Sequence, residues 1–182
     1  MSKKSILTLA AVIIFAVTVS AQKLVTTKSH FKLYSHTVAE DIEANNYKAV
    51  GTLNTETGEV VFSVPMQSFE FEKALMQKHY NSPKFMDTKQ FPKAKLKGKI
   101  TNLAAVDFKK DGTYNVTVKG DLTLHGVTKT VEEKGTITVK AGKISVNSKI
   151  NVALADYKVA FEKGKPSTNI AKTVEVTIEA EY

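Results

Sequence analysis

Residues Thr113 to Leu124 read TYNVTVKGDLTL, with polar and apolar side chains alternating along nearly the whole stretch. Tyr114, Val116, Val118, Leu122 and Leu124 take one face, with Gly120 among them. Thr113, Asn115, Thr117, Lys119, Asp121 and Thr123 take the other. A strand puts successive side chains on opposite faces, so this period of two specifies a sheet with one wet side. The pattern returns in Lys143–Leu154 through Ile144, Val146, Ile150, Val152 and Leu154. It returns again in Lys172–Tyr182 through Val174, Val176, Ile178, Ala180 and Tyr182, and Val60, Phe62 and Val64 form a shorter row.

Turn signals separate these runs. Thr55-Glu56-Thr57-Gly58, Lys109-Lys110-Asp111-Gly112 and Ala141-Gly142-Lys143 each join two strand patterns, which implies antiparallel neighbours. About eight strands are predicted, near Leu24–Tyr34, Asn46–Leu53, Glu59–Val64, Ala94–Phe108, Thr113–Leu124, Thr128–Lys140, Lys143–Leu154 and Ala171–Glu181. Long antiparallel strands in one domain close into a barrel or stack as a sandwich.

Pro65 to Pro92 breaks the alternation. FEKALMQKHY has helical spacing, with Leu75 and His79 four apart and Met76 and Tyr80 likewise. Glu70 and Glu72 suit a helix start and Lys78 its end. Met66, Met76 and Met86 lie in this segment, as do Phe69, Phe71, Phe85 and Phe91. Such adaptable side chains suit either a plug that closes the barrel or a plug that also walls a ligand.

The N-terminus reads as a secretory signal. Met1-Ser2-Lys3-Lys4 is a basic start, Ile6 to Val19 is almost wholly apolar, and Val19-Ser20-Ala21 offers small residues for cleavage. That run is shorter than the roughly 20 residues of a membrane span. Residues 1–21 are therefore expected to be removed, leaving Gln22 to Tyr182 as one domain in the periplasm or outside the cell. The chain has no cysteine, which excludes disulfides, thiol nucleophiles and thiolate metal sites.

All 26 basic residues are lysine, and the formal net charge of +8 falls to +6 without Lys3 and Lys4. Phosphate and nucleic-acid readers favour the forked guanidinium, so no nucleic-acid partner is expected. Lys93, Lys95, Lys97 and Lys99 share one strand face. They read as a solvated or edge-protecting row, and they permit transient contact with a membrane surface. The same basic face and long strand edges permit a homodimer.

His30, His36, His79 and His125 show no metal-pair spacing. No nucleophile elbow, phosphate loop or dinucleotide fingerprint is present. His125 precedes Gly126 between two alternating runs, where a glycine supplies positive φ. It reads as the corner between two strands, or as a polar contact at a barrel rim. Asp156-Tyr157 and Glu162-Lys163 read as loop anchors or solvated charges.

GDLTLHGVTKTV, Gly120 to Val131, resembles a motif of the YceI-like family, and FMDTKQFPKAKLKGKI, Phe85 to Ile100, resembles a second. Leu96 stands where that family commonly has an aromatic residue and Gln90 where it commonly has a basic one. The resemblance runs over most of the mature chain. It implies an extended, antiparallel, lipocalin-like β-barrel with a short helical segment at about residues 66–91. It implies an exported protein holding a long apolar molecule: a polyisoprenoid or isoprenoid quinone, or a fatty acid or amide. It supplies no catalytic set and no cofactor, and it assigns structural roles to most of Asp121, His125, Gly126, Thr128, Phe91 and Pro92.

Residues and resemblance agree on one physical expectation. A barrel of about eight strands is just wide enough to be filled by side chains or to hold one small ligand. Apolar inward rows favour an isoprenoid or acyl chain over sugars or ions. The expected ligand contacts are Tyr114, Val116, Val118, Ile144, Val146 and Val176 from strands. Leu75, Met76, Phe85 and Phe91 join them from the helical segment. The alternatives are a barrel hydrolase or isomerase using His79 or His125, and a ligand-free envelope interaction module.

Overall fold

A computed structural model describes residues 23–159 and 169–182. The signal segment 1–21 and the pair Glu162-Lys163 lie outside those residues. The described chain forms one eleven-stranded antiparallel sheet that curls round an apolar interior. Its strands are β1 (Lys23–Val25), β2 (Lys28–His36), β3 (Asp41–Asn46), β4 (Val50–Asn54), β5 (Glu59–Pro65), β6 (Glu70–Phe71), β7 (Lys93–Ile100), β8 (Gly112–Leu124), β9 (Val127–Lys140), β10 (Lys143–Ala153) and β11 (Thr173–Glu181). Their spatial order is β1-β4-β5-β7-β8-β9-β10-β11-β2-β3-β6.

Eleven strands replace the eight expected, and bending accounts for most of the difference. The first predicted strand divides into β1 and β2 at Thr26-Thr27. Beside it, β3 and β4 divide at Tyr47–Ala49, so Asp41–Asn46 is strand that the alternation did not reveal. The two bends are tied together. Ser29 Oγ donates to the Ala49 carbonyl at 2.6 Å, and Asn46, fully buried, donates to the Pro65 carbonyl and accepts from the Lys48 amide. β6 is a two-residue addition on β3.

The bend in the first strand also links β1, at one end of the sheet, to β2, which pairs with β11 near the other. The Thr26 amide donates to the Gly51 carbonyl, continuing β1 along β4. The next amide, Thr27, donates to the Glu181 carbonyl, starting the pairing of β2 with β11. One dipeptide thus carries the seam on both sides.

Tight turns set the register of the longest strands. His125 and Gly126 have φ of 49° and 74°, and Leu124 pairs with Val127. Two consecutive left-handed residues between paired strands make the hairpin turn whose twist matches the sheet. Ala141-Gly142 repeats it between β9 and β10, with φ of 50° and 77°. His125 therefore forms the corner. Its Nδ1 lies 3.1 Å from the Tyr157 carbonyl, and Phe91 packs edge-on against its ring.

The segment between β5 and β7 carries one short α-helix, as its spacing predicts, but the helix begins later than Glu70 and Glu72 suggest. One helix, α1 (Ala74–Asn81), follows β6, so Glu70 belongs to a strand and no acidic residue occupies the first helical turn. β7 ends at Ile100 rather than Phe108. There Asn102 takes over the pairing, donating to the Asn115 carbonyl and accepting from the Thr117 amide.

Candidate functional site

The inward rows enclose a cavity of about 630 Å³. Its wall follows the alternation strand by strand. β2 supplies Phe31, Leu33 and Ser35, β5 supplies Val60, Phe62 and Val64, and β8 supplies Val116, Val118, Leu122 and Leu124. Val146, Ser148, Ile150 and Val152 come from β10, and Val174, Val176 and Ile178 from β11. The segment between β5 and β7 caps one end with Met66, Phe69, Phe71, Met76, His79, Tyr80, Phe85 and Met86. The three methionines singled out in the sequence all meet in this wall, which makes the segment a wall as well as a plug.

Of the ten side chains expected to face a ligand, Met76, Phe85, Val116, Val118, Val146 and Val176 line the cavity. Four stand elsewhere. Leu75 is 62% exposed, because the face of α1 turned inward carries Met76, His79 and Tyr80. Phe91 is drawn to the corner, against His125 and over Gly126, where a Cβ would meet its ring at 2.6 Å. Tyr114 and Ile144 continue the correct rows beyond the cavity. The Tyr114 hydroxyl donates to the Lys110 carbonyl, and the Ile144 carbonyl accepts from the Tyr182 amide.

The wall is mostly apolar, and its charged lining residues are Glu40, Lys84, Lys95, Glu133 and Lys134. Glu40, near the cap, is held by Lys73 at 3.2 Å and by the Asn169 amide. Glu133 projects from β9, in the row of Val131 and Ile137, and no ion pair or hydrogen bond to its carboxyl is found among the described residues. Burial raises its proton affinity above that of an ordinary glutamate. Such a group favours the folded state most at acid pH, and that contribution is lost as pH rises through the folded value. Sequence reading did not single out Glu133, although its parity with Val131 and Ile137 marks it as inward.

Tyr80 and Tyr182 also line the cavity, and their hydroxyl oxygens are buried without hydrogen-bond partners among the described residues. Burial raises both phenols well above the usual tyrosine range. The Tyr80 ring packs against Phe69, Phe71 and Phe85. Tyr80→Phe keeps those contacts and deletes an unpaired buried oxygen, whose desolvation costs about 1–3 kcal/mol. The variant is expected to unfold at higher urea concentration than the parent, by roughly that free energy, with an unchanged slope.

Three of the four histidines are engaged away from the cavity. His30 contacts Glu179 and Asn45 and stacks on Tyr47, His36 pairs with Asp41, and His125 holds its corner. His79 alone among them lines the cavity wall.

The sequence model of the YceI-like domain matches residues 16–182. A UPF0312 protein of Pseudomonas putida is 27% identical over 130 residues, which cover 68% of this chain and 62% of that protein. The aligned region thus spans less than two thirds of that curated relative's length. Among solved structures, a polyisoprenoid-binding domain from Saccharophagus degradans superposes with a TM-score of 0.73 at 16% identity, over 87% of this chain and 96% of that one. BcnA of Burkholderia cenocepacia gives 0.70 at 15% identity, over 85% and 96%. The YCEI protein of Campylobacter jejuni gives 0.58 at 15% identity, over 100% and 98%. These structural likenesses establish the lipocalin-like fold.

Proposed function

The chain belongs to the YceI-like family, and from that premise we propose that it binds and carries a long apolar lipid, a polyisoprenoid or an isoprenoid quinone or acyl chain. The observation that carries this reading is the cavity of about 630 Å³, walled by inward rows of Val, Ile, Leu and Phe. Burial in such a wall is worth about 0.8 kcal/mol per methylene before ordering costs, so a long chain needs little polar recognition. The polyisoprenoid-binding domain of similar fold from Saccharophagus degradans supports the same ligand class. The compartment we propose is the periplasm or the exterior, reached through the basic and apolar start of the chain. The protein in this reading is a carrier rather than an enzyme. No cofactor takes part, and the only small molecule is the lipid.

Affinity should therefore climb with chain length. Across a series of alkyl alcohols, displacement of a fluorescent apolar probe is expected to strengthen by up to fourfold or so per methylene. The gain should stop once the interior is full. Mass spectrometry of organic extracts from protein purified out of its native host should return a co-purifying lipid. Affinity that does not respond to chain length, together with extracts free of lipid, would refute the reading.

A further inference from the structure

Among the described residues, the wall parts between β9 and β10. β9 and β10 are paired only from Lys140 and Lys143 as far as Gly135 and Ser148. Beyond that rung β9 continues along β8 to Val127, while β10 continues along β11 to Ala153. The two strands fork, and the Ser148 hydroxyl closes the crotch by donating to the Lys134 carbonyl at 2.7 Å. A second cavity of about 160 Å³ occupies the fork, between Lys129, Val131 and Glu133 on one edge and Ile150 and Val152 on the other. Val131, Glu133, Ile150 and Val152 also line the main cavity, so the two spaces adjoin.

The charges in the fork are uneven. Lys129 reaches across it to Asp156 at 2.9 Å, and this pair neutralises itself. On the outer face, Lys119 faces Glu132 and Lys149 faces Glu175. Among the described residues no side chain pairs with the Glu133 carboxyl, which stands between the apolar interior and the fork. A carboxylate accepts hydrogen bonds and repels anions, and a partly desolvated one gains most from a donor.

We propose that the fork between β9 and β10 seats the polar end of the ligand, and that Glu133 selects an uncharged hydrogen-bond donor. An alcohol or a primary amide fits this chemistry; a carboxylate or phosphate is repelled, and an ester or quinone offers only acceptors. This inference rests on the lipid-carrier reading and narrows its ligand class. The tail lies in the main cavity and the head meets Glu133, with the Lys129–Asp156 pair beside it.

The test uses four probes of one tail length: oleyl alcohol, oleamide, oleic acid and methyl oleate, each displacing a fluorescent apolar dye from the whole mature protein at neutral pH. The alcohol and the amide, read separately, are each expected to bind about tenfold more tightly than the acid, as expected for one charge-assisted bond set against one repulsion. Glu133→Gln should close most of the gap between amide and acid. Glu133→Leu should lower the alcohol and amide to the level of the ester. Asp156→Asn frees Lys129 beside the head and should improve the acid relative to the other three probes. An acid that matches the amide in the parent, or a ranking unmoved in folded Glu133 and Asp156 variants, overturns the proposal while leaving the carrier reading intact. A parent protein that takes up none of the four probes overturns both.

Discussion

Val118→Trp, Val146→Trp and Val176→Trp, combined, are expected to weaken lipid binding by about a hundredfold while the barrel remains folded. The three valines sit on β8, β10 and β11 and all face the same cavity. Enlarging a side chain in a packed core costs about 1–3 kcal/mol, because neighbours are forced off their rotamers. Here the added rings enter open space, so the cost should fall at or below the lower end of that range. Ligand burial moves the other way. Excluding four methylenes from the interior removes about 3 kcal/mol, which weakens binding by about a hundredfold. Dye displacement reads the loss and urea unfolding reads the stability. Retained lipid affinity in a folded triple variant would mean that the ligand lies somewhere other than the interior.

Gly120→Ala should have the largest effect on stability of any single methyl addition to the sheet. Gly120 pairs directly with Gly98, and a Cβ built on it lies 2.3 Å from the Gly98 Cα and 2.4 Å from the Lys97 carbonyl oxygen. Both atoms belong to backbone and cannot swing aside, so β7 and β8 must separate. A loss of about 3 kcal/mol or more is expected, at the upper end of overpacking costs. Gly98→Ala should cost less, since its closest neighbour, the Lys119 carbonyl oxygen, stands at 2.9 Å. Gly142→Ala is a useful contrast, with nothing within 4 Å and only its φ of 77° to strain it. Equal midpoints for Gly120→Ala and the parent in urea would show that the strands can part freely at this level.

The strands with one apolar row were legible before any coordinates. β8, β10 and β11 carry their inward residues at every second position, and the turns at Ala141-Gly142 and His125-Gly126 announce themselves through glycine. The bent strands were harder to read. Asp41–Asn46 presents Ile42 and Ala44 among polar residues, and its main anchor, Asn46, is a polar side chain whose burial is licensed by the distant Pro65 carbonyl and the nearby Lys48 amide. The cap was legible as a cluster and not residue by residue. An eight-residue helix holding Leu75 and Met76 side by side does not reveal which of them turns inward. The packing of α1 against Phe69 and Phe71 through Tyr80 decides it. The fork was invisible for a different reason. Both β9 and β10 keep a period of two after they part, and periodicity records which face a residue takes, never which neighbour its backbone has lost.

The double anchorage at Thr26 and Thr27 constrains the order in which the molecule can assemble. The hairpins β8–β9 and β9–β10 join neighbours in sequence and can zip locally as soon as their turns form. Thr27 instead waits for Glu181, a partner 154 positions away. Closing so large a loop is entropically expensive and slow. The bend at Thr26-Thr27 is thus committed to being among the last features to find its place, and β2 keeps one edge unpaired until β11 arrives.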